Sequence, residues 1–300
     1  MPRFAPESGA AEMGIDNHGL NFLRYARARK PFGDTITLGR QGVLVLKPIL
    51  EELLGTCRSY AEQPYCEELL TECFDATRVE SIDKSAYEKA THIHDFNEPL
   101  PGDLYQKYDT VLDMGTLEHI YNAPQAFKNC SQLCKRGGQL LHVLPANNFC
   151  GHGLWQFSPE LFFSLYCKSN GYIETEVFLA DLANTAKWYR VKEPAAGERV
   201  NVSSSTPLYV LVRTVLSRTD FSHTEVQQLH YVHEWENRVT PVPRTAGTSK
   251  RFKEWLKRTP LVYRSLAGAY NFYLRSKRKA QTGLNERNPG IVVVDVKSCI

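Results

Sequence analysis

The feature that most constrains this chain is the alternation of short apolar runs with amphipathic segments between Tyr108 and Ala180. YDTVLDMG reads as a strand and APQAFKNCSQLCKRGG as a helix with a glycine stop. QLLHVLPANN follows as a strand, SPELFFSLYCKSNG as a helix N-capped by Ser158 with Glu160 in its first turn, and YIETEVFLA as a strand. Strands alternating with helices of about 10 to 15 residues require a parallel sheet covered on both faces. Upstream, DTITL, RVESID and HIHDFN add three strands. Downstream, TPLYVLVRTV adds one more after a long polar connection, and no helix separates it from its predecessor, so this last pair can run antiparallel. The expectation is an α/β fold with a doubly wound, mostly parallel seven-stranded sheet.

Around this body we expect residues 1–33 to form an N-terminal tail and helix, 34–216 the α/β domain, and 217–300 a basic, aromatic helical extension. Between Arg244 and Lys279 eleven Lys/Arg face a single acid, Glu254, although the net charge of the whole chain is only +3. The remainder is therefore mildly acidic, which argues against a nucleic-acid platform on the main body. The basic run interleaves its cations with aromatics across 250–279, a composition suited to packing with a solvated face or to a membrane or lipid-linked substrate. No stretch reaches the roughly 18 uncharged apolar residues of a membrane span, and the N-terminus lacks a signal-peptide core, so a cytoplasmic protein is expected, peripheral to a membrane if the tail binds one. The eight cysteines form no CxxC pair, and most fall in apolar periodic segments, as reduced buried thiols do.

In a doubly wound sheet the ligand crevice lies beyond the carboxyl ends of the strands. Four strand ends carry chemistry there: Gly39-Arg40-Gln41-Gly42, Asp83, Asp95 with Asn97, and Asp113 through Asn122. A glycine lets backbone approach a ligand, a carboxylate at the next strand end can accept both ribose hydroxyls, and Asp95 can accept from an exocyclic amine. The pattern is that of a site for a nucleoside-bearing cofactor.

Two blocks sharpen this. KYDTVLDMGTLEHIYNAPQAFKNCSQLCKRGGQLLHVLP and GHGLWQFSPELFFSLYCKSNGY resemble class I S-adenosylmethionine-dependent methyltransferases, over about half the chain. The resemblance implies a Rossmann-like fold, S-adenosylmethionine as cofactor, and a cofactor site at Gly39, Arg40, Gln41, Gly42, Asp83, Asp95, Phe96, Asn97, Asp113, Gly115 and Leu117. It implies His152 and His119 as catalytic residues and Glu118, Trp155, Gln156 and Phe157 at the acceptor. No metal is expected: relatives that hold a divalent ion at this turn use Glu-x-x-Glu-His, and Gly115 stands in place of the first Glu. The first motif also departs from the family, with Thr37 where an acid usually stands and Gln41 where a glycine does. The 44 positions from Gly39 to Asp83 leave room for an inserted helix within about 57–76. The expected activity is methyl transfer, most simply to oxygen of a small molecule or glycan. The alternatives are an inactive methyltransferase-like binding protein and, third, a nucleic-acid methyltransferase resting on the tail alone.

Overall fold

The computed structural model describes residues 14–55, 64–219, 226–237 and 281–300. The basic run 250–279 and Cys57 lie outside them. Among the described residues nine strands form one sheet: β1 (Gly33–Leu38), β2 (Ala76–Asp83), β3 (His92–Ile93), β4 (Tyr108–Met114), β5 (Cys134–Asn147), β6 (Tyr172–Asp181), β7 (Lys187–Val191), β8 (Leu208–Leu216) and β9 (Ile291–Asp295). Their order is β3-β2-β1-β4-β5-β8-β6-β7-β9. The first five pair in parallel, whereas β8 inserts antiparallel between β5 and β6. All seven expected strands are present. The two additional ones are β7, in the polar connection, and β9 from the apolar C-terminal end, which pair antiparallel as an edge ribbon beyond β6.

Helices cover both faces because alternate strand residues point to opposite sides. On one side Val111, Leu140 and Leu144 pack with α4 (Ala123–Leu133) and α5 (Pro159–Leu165). On the other, Leu112, Met114, Leu141 and Val143 pack with α1 (Asn17–Arg27), α2 (Lys47–Leu54) and α3 (Glu67–Cys73). α1 is capped by Asp16, which accepts from Gly19 N, and it buries Phe22 and Tyr25 edge-on against Trp188 of β7. α3 falls within the stretch expected to hold an inserted helix. Further along lie α6 (Leu229–Glu236) and α7 (Val296–Cys299).

One expected element differs. α4 stops at Leu133, and Cys134-Lys135-Arg136-Gly137-Gly138 is already part of β5. Tyr108 pairs with Cys134 but Thr110 with Gln139, so the ladder absorbs the intervening residues in a bulge. Lys135 fixes it by bridging Asp34 and Asp109 at 3.0 and 2.9 Å. Gly138 is needed there because a Cβ would lie 2.7 Å from Cys134 Sγ and 3.0 Å from Asp109 O. The paired glycines thus serve the strand, not the helix end.

Candidate functional site

A cavity of about 690 Å³ opens at the carboxyl ends of β1, β2, β3 and β4. Its wall includes Gly39 to Gly42, Asp83, Asp95, Phe96, Asn97, Gly115, Thr116 and His119. Nine of the eleven residues expected at the cofactor therefore share one cavity, and its volume suits a cofactor-sized ligand, for which about 300–1,000 Å³ is usual.

The floor is the turn after β1. Gly39 has φ +67°, and a Cβ there would stand 3.2 Å from Thr116 Oγ1 and 3.7 Å from Asp83 Oδ2, so glycine keeps bare backbone against the cavity. Thr37 donates to Gly39 O at 2.7 Å, and Thr116 Oγ1 donates to Leu38 O at 2.7 Å. Gln41 is buried and donates to Leu38 O and Thr116 Oγ1. It braces the turn from within. Arg40 stacks on Tyr65 with its guanidinium 4.1 Å from the ring centre, pairs with Glu67, and donates to Glu88 O, which pins the wall between the β1 turn and the segment after β2.

At the end of β2, Asp83 Oδ1 accepts from Ser85 N at 2.7 Å while Oδ2 lies toward Gly39. Asp95 is more fully engaged. Its Oδ2 is 2.7 Å from Lys84 Nζ and its Oδ1 accepts twice from Asn97, and these partners hold its carboxyl down at about 2. Asn97 in turn ties this strand end to Asn122 through two hydrogen bonds. Phe96 is buried in the core beneath.

Asp113 and Leu117 depart from the expectation. Both are fully buried and neither reaches the cavity. Asp113 Oδ1 accepts from Thr116 N and Leu117 N, and Oδ2 faces His142 Nδ1 at 3.0 Å; His142 Nε2 is 2.7 Å from the Tyr166 hydroxyl. Strand parity carries the signal: Asp113 shares the face of Val111, and His142 that of Leu140, so both turn toward α4 and α5. Asp113 shapes the turn that follows and does not touch its ligand side.

That turn, a 3-10 helix over Leu117–His119, meets the loop after β5. Glu118 O accepts from Leu154 N at 2.7 Å and Trp155 N at 3.2 Å. Gly153, at φ +75°, permits the approach: a Cβ there would be 2.8 Å from Glu118 Cγ. No such crowding surrounds Gly151. The stitch places His152 Nε2 3.4 Å and His119 Nε2 3.8 Å from Glu118 Oε1, with the two imidazoles 5.1 Å apart. Glu118 is wholly buried, and neither of its carboxylate oxygens has a hydrogen-bond partner among the described residues; the same holds for His152 Nε2. Burial, reinforced by the nearby Asp113 charge, pushes the Glu118 carboxyl up to about 8. Burial also pushes both histidines down, and His119 further lowers His152. Only His119 of the three lines the cavity.

The other expected acceptor residues separate. Trp155 is partly exposed, its indole N–H donating to Ile120 O at 3.0 Å, and lies beside exposed Leu154 and Tyr121. Gln156 staples the loop by accepting from Phe149 N. Phe157 is buried against Phe127 and Phe162 and cannot wall an acceptor. Sequence reasoning did not single out Tyr121 or Thr116. Both flank the Leu-Glu-His turn, and that adjacency was the available signal.

Fold and site together define a doubly wound α/β protein with a ligand cavity on the carboxyl rim and a carboxylate–histidine cluster at its edge. No protein-family model matches the chain, and no curated protein matches it. Among solved structures it is similar to a methyltransferase of Haloferax volcanii bound to the activator Trm112, at 16% identity over 68% of this chain and 92% of that one, TM-score 0.40. It is similar to the N-methyltransferase NodS of Bradyrhizobium japonicum at 13% identity over 67% and 94% of the two chains, TM-score 0.38. A third is the branched-chain polyamine synthase of Thermus thermophilus, at 12% identity over 76% and 63%, TM-score 0.39.

Proposed function

We propose that this chain transfers the methyl group of S-adenosylmethionine to oxygen of a small molecule or glycan. The observation that carries the reading is the cavity itself: one continuous space whose floor is bare backbone at Gly39, whose wall offers Asp83 Oδ2, and whose edge is His119 of the carboxylate–histidine cluster. These residues fit a nucleoside-bearing group. Asp83 would receive the ribose hydroxyls, the β1 turn would lie against the amino-acid end, and the β3 end at Asp95 to Asn97 would hold the base. The cofactor supplies an activated methyl on a sulfonium.

The protein then has to align the acceptor, exclude water and receive its proton. Burial favours the neutral imidazole of His119, at the cavity edge, and of His152 behind it, and these are the bases we assign to that proton. The rings of Tyr121 and Trp155, the latter pinned by its indole hydrogen bond to Ile120 O, are exposed next to the Leu-Glu-His turn, and we read them as favouring a carbohydrate or aromatic acceptor. The composition of 250–279 favours a membrane-bound or lipid-linked form of it, and the acidic body disfavours nucleic acid.

A second reading is a non-catalytic binding protein of the same shape. It is favoured by the engagement of Arg40, Asp95 and Asn97 with protein partners. Transfer of labelled methyl from S-adenosylmethionine to a panel of hydroxylated glycans and phenols separates the two. Methyl transfer predicts product, with His152→Ala slowing turnover about 10² to 10⁴-fold while cofactor affinity holds. Cofactor binding without product across the panel, or equal losses of binding and turnover in His152→Ala, would overturn the catalytic assignment.

A further inference from the structure

The unpartnered groups in this site converge on one point. A buried carboxylate without hydrogen bonds costs several kcal/mol to keep charged, so proteins neutralise it, pair it or place it on a metal. Neither Glu118 oxygen makes a hydrogen bond among the described residues, although both are buried. What faces it instead are two imidazole nitrogens, His152 Nε2 at 3.4 Å and His119 Nε2 at 3.8 Å. One ligand atom from each of the three residues lies within 4.8 Å of the others. For metal–ligand bonds of about 2.1 Å the edge of a tetrahedron is about 3.4 Å, so two of the three edges need little or no movement.

We propose that Glu118, His119 and His152 form a binding site for a divalent first-row transition cation such as Zn²⁺ or Co²⁺. Two imidazoles and one carboxylate match borderline ions better than Mg²⁺ or Ca²⁺, which take oxygen ligands. Three protein ligands leave at least one coordination position open. Half-exposed His119 places that opening at the edge of the cavity. The site is assembled from two segments that the sequence keeps apart, and its closure depends on the backbone stitch from Leu154 and Trp155 to Glu118 O and on Gly153. It goes beyond the expectation of no metal, which rested on Gly115 standing in place of the first Glu of that turn.

Binding of the ion stands on this geometry alone; its use rests on the methyl-transfer reading. There the two imidazoles would serve as ligands in place of proton acceptors, and the ion would make an acceptor hydroxyl more acidic. The hydroxyl proton leaves to solvent, the new O–C bond forms as the sulfonium C–S bond breaks, and the negative oxygen and positive sulfur both end neutral.

The test uses the full chain, free of any affinity tag and stripped with a chelator. Co²⁺ is added while its visible absorption is recorded, and Zn²⁺ is added in a calorimeter. The expected result is one saturable site per chain with the absorption of a four- or five-coordinate ion. Glu118→Gln and His152→Ala should each weaken it by more than the roughly hundredfold that loss of an outer partner of a metal ligand costs. His230→Ala should not change it. His119→Ala, at a half-exposed position that tolerates truncation, keeps the test decisive if His152→Ala does not fold. Absence of a saturable site in the wild type, or unchanged affinity in the folded variants, would overturn the proposal. S-adenosylhomocysteine titrated into the same samples separates the two ideas: cofactor binding without ion binding defeats only the metal site, and ion binding without cofactor binding defeats only methyl transfer.

Discussion

Two carboxylate–histidine groupings stand five residues apart along the chain and have opposite characters. Asp113 and His142 are wholly buried and fully satisfied: the carboxylate caps two backbone amides and faces Nδ1, and Nε2 meets the Tyr166 hydroxyl. Glu118, with His119 and His152, is also buried at its carboxylate, yet its oxygens and His152 Nε2 have no hydrogen-bond partner among the described residues. A satisfied buried network specifies structure, whereas an unsatisfied one at the edge of a cavity is strain kept for a ligand. The strand end thus carries two carboxylates for two reasons: the first sets the turn, and the second is presented by it.

The sharpest way to break this comparison is to remove each carboxylate in turn. Asp113→Ala leaves the amides of Thr116 and Leu117 and the His142 imidazole without their partner, and should cost about 3–5 kcal/mol in chemical denaturation. Glu118→Gln removes no hydrogen bond and takes away a charge that burial disfavours, so it should leave stability unchanged or raise it. Equal costs would show that the two groupings do the same job.

A smaller effect tests the satisfied class at a distant position. His18 is buried between α1 and β7, with Nδ1 accepting from Trp188 Nε1 at 3.2 Å and Nε2 facing Asp181 O at 3.1 Å. Burial lowers its pKa, the nearby Asp16 charge opposing. A proton added at Nδ1 would set donor against donor. As pH falls below the unfolded value of about 6.5 the unfolded chain takes up a proton that the folded chain resists, so stability declines from there down toward the folded pKa. The slope from this one group is at most about 1.4 kcal/mol per pH unit. Melting temperatures of the wild type should fall between about pH 6.5 and 5.5, and His18→Gln, though less stable at neutral pH, should show a shallower decline. Parallel curves would remove His18 from the account.

How far the sequence discloses this arrangement follows from the range of the interactions. Periodicity reveals β4 and β8, the middle of β5 and the second half of β6 because burial there is nearly continuous. It misses β7: KWYRV is short, carries two cations and sits in a polar connection, and its strand character comes from pairing with β6 and β9. The lysine and glycines after α4 look like a helix stop because nothing local reveals the bridge from Lys135 to Asp34 and Asp109. At the site, Gly39 and Asp83 are legible as strand-end residues. The inward turn of Asp113 is legible only through parity with Val111. The junction of Glu118 with His152 is not legible at all, since it depends on two backbone hydrogen bonds and one glycine between distant segments.

The central claim is that the rim cavity holds S-adenosylmethionine, and its most direct test is calorimetric titration of the chain with S-adenosylmethionine and S-adenosylhomocysteine, needing no knowledge of the acceptor. The account predicts saturable binding of both. Asp83→Ala should weaken it by about 1.5–3 kcal/mol, roughly ten- to a hundredfold, the worth of hydrogen bonds to a charged group. No heat from either ligand, or the same affinity in wild type and Asp83→Ala, would contradict it.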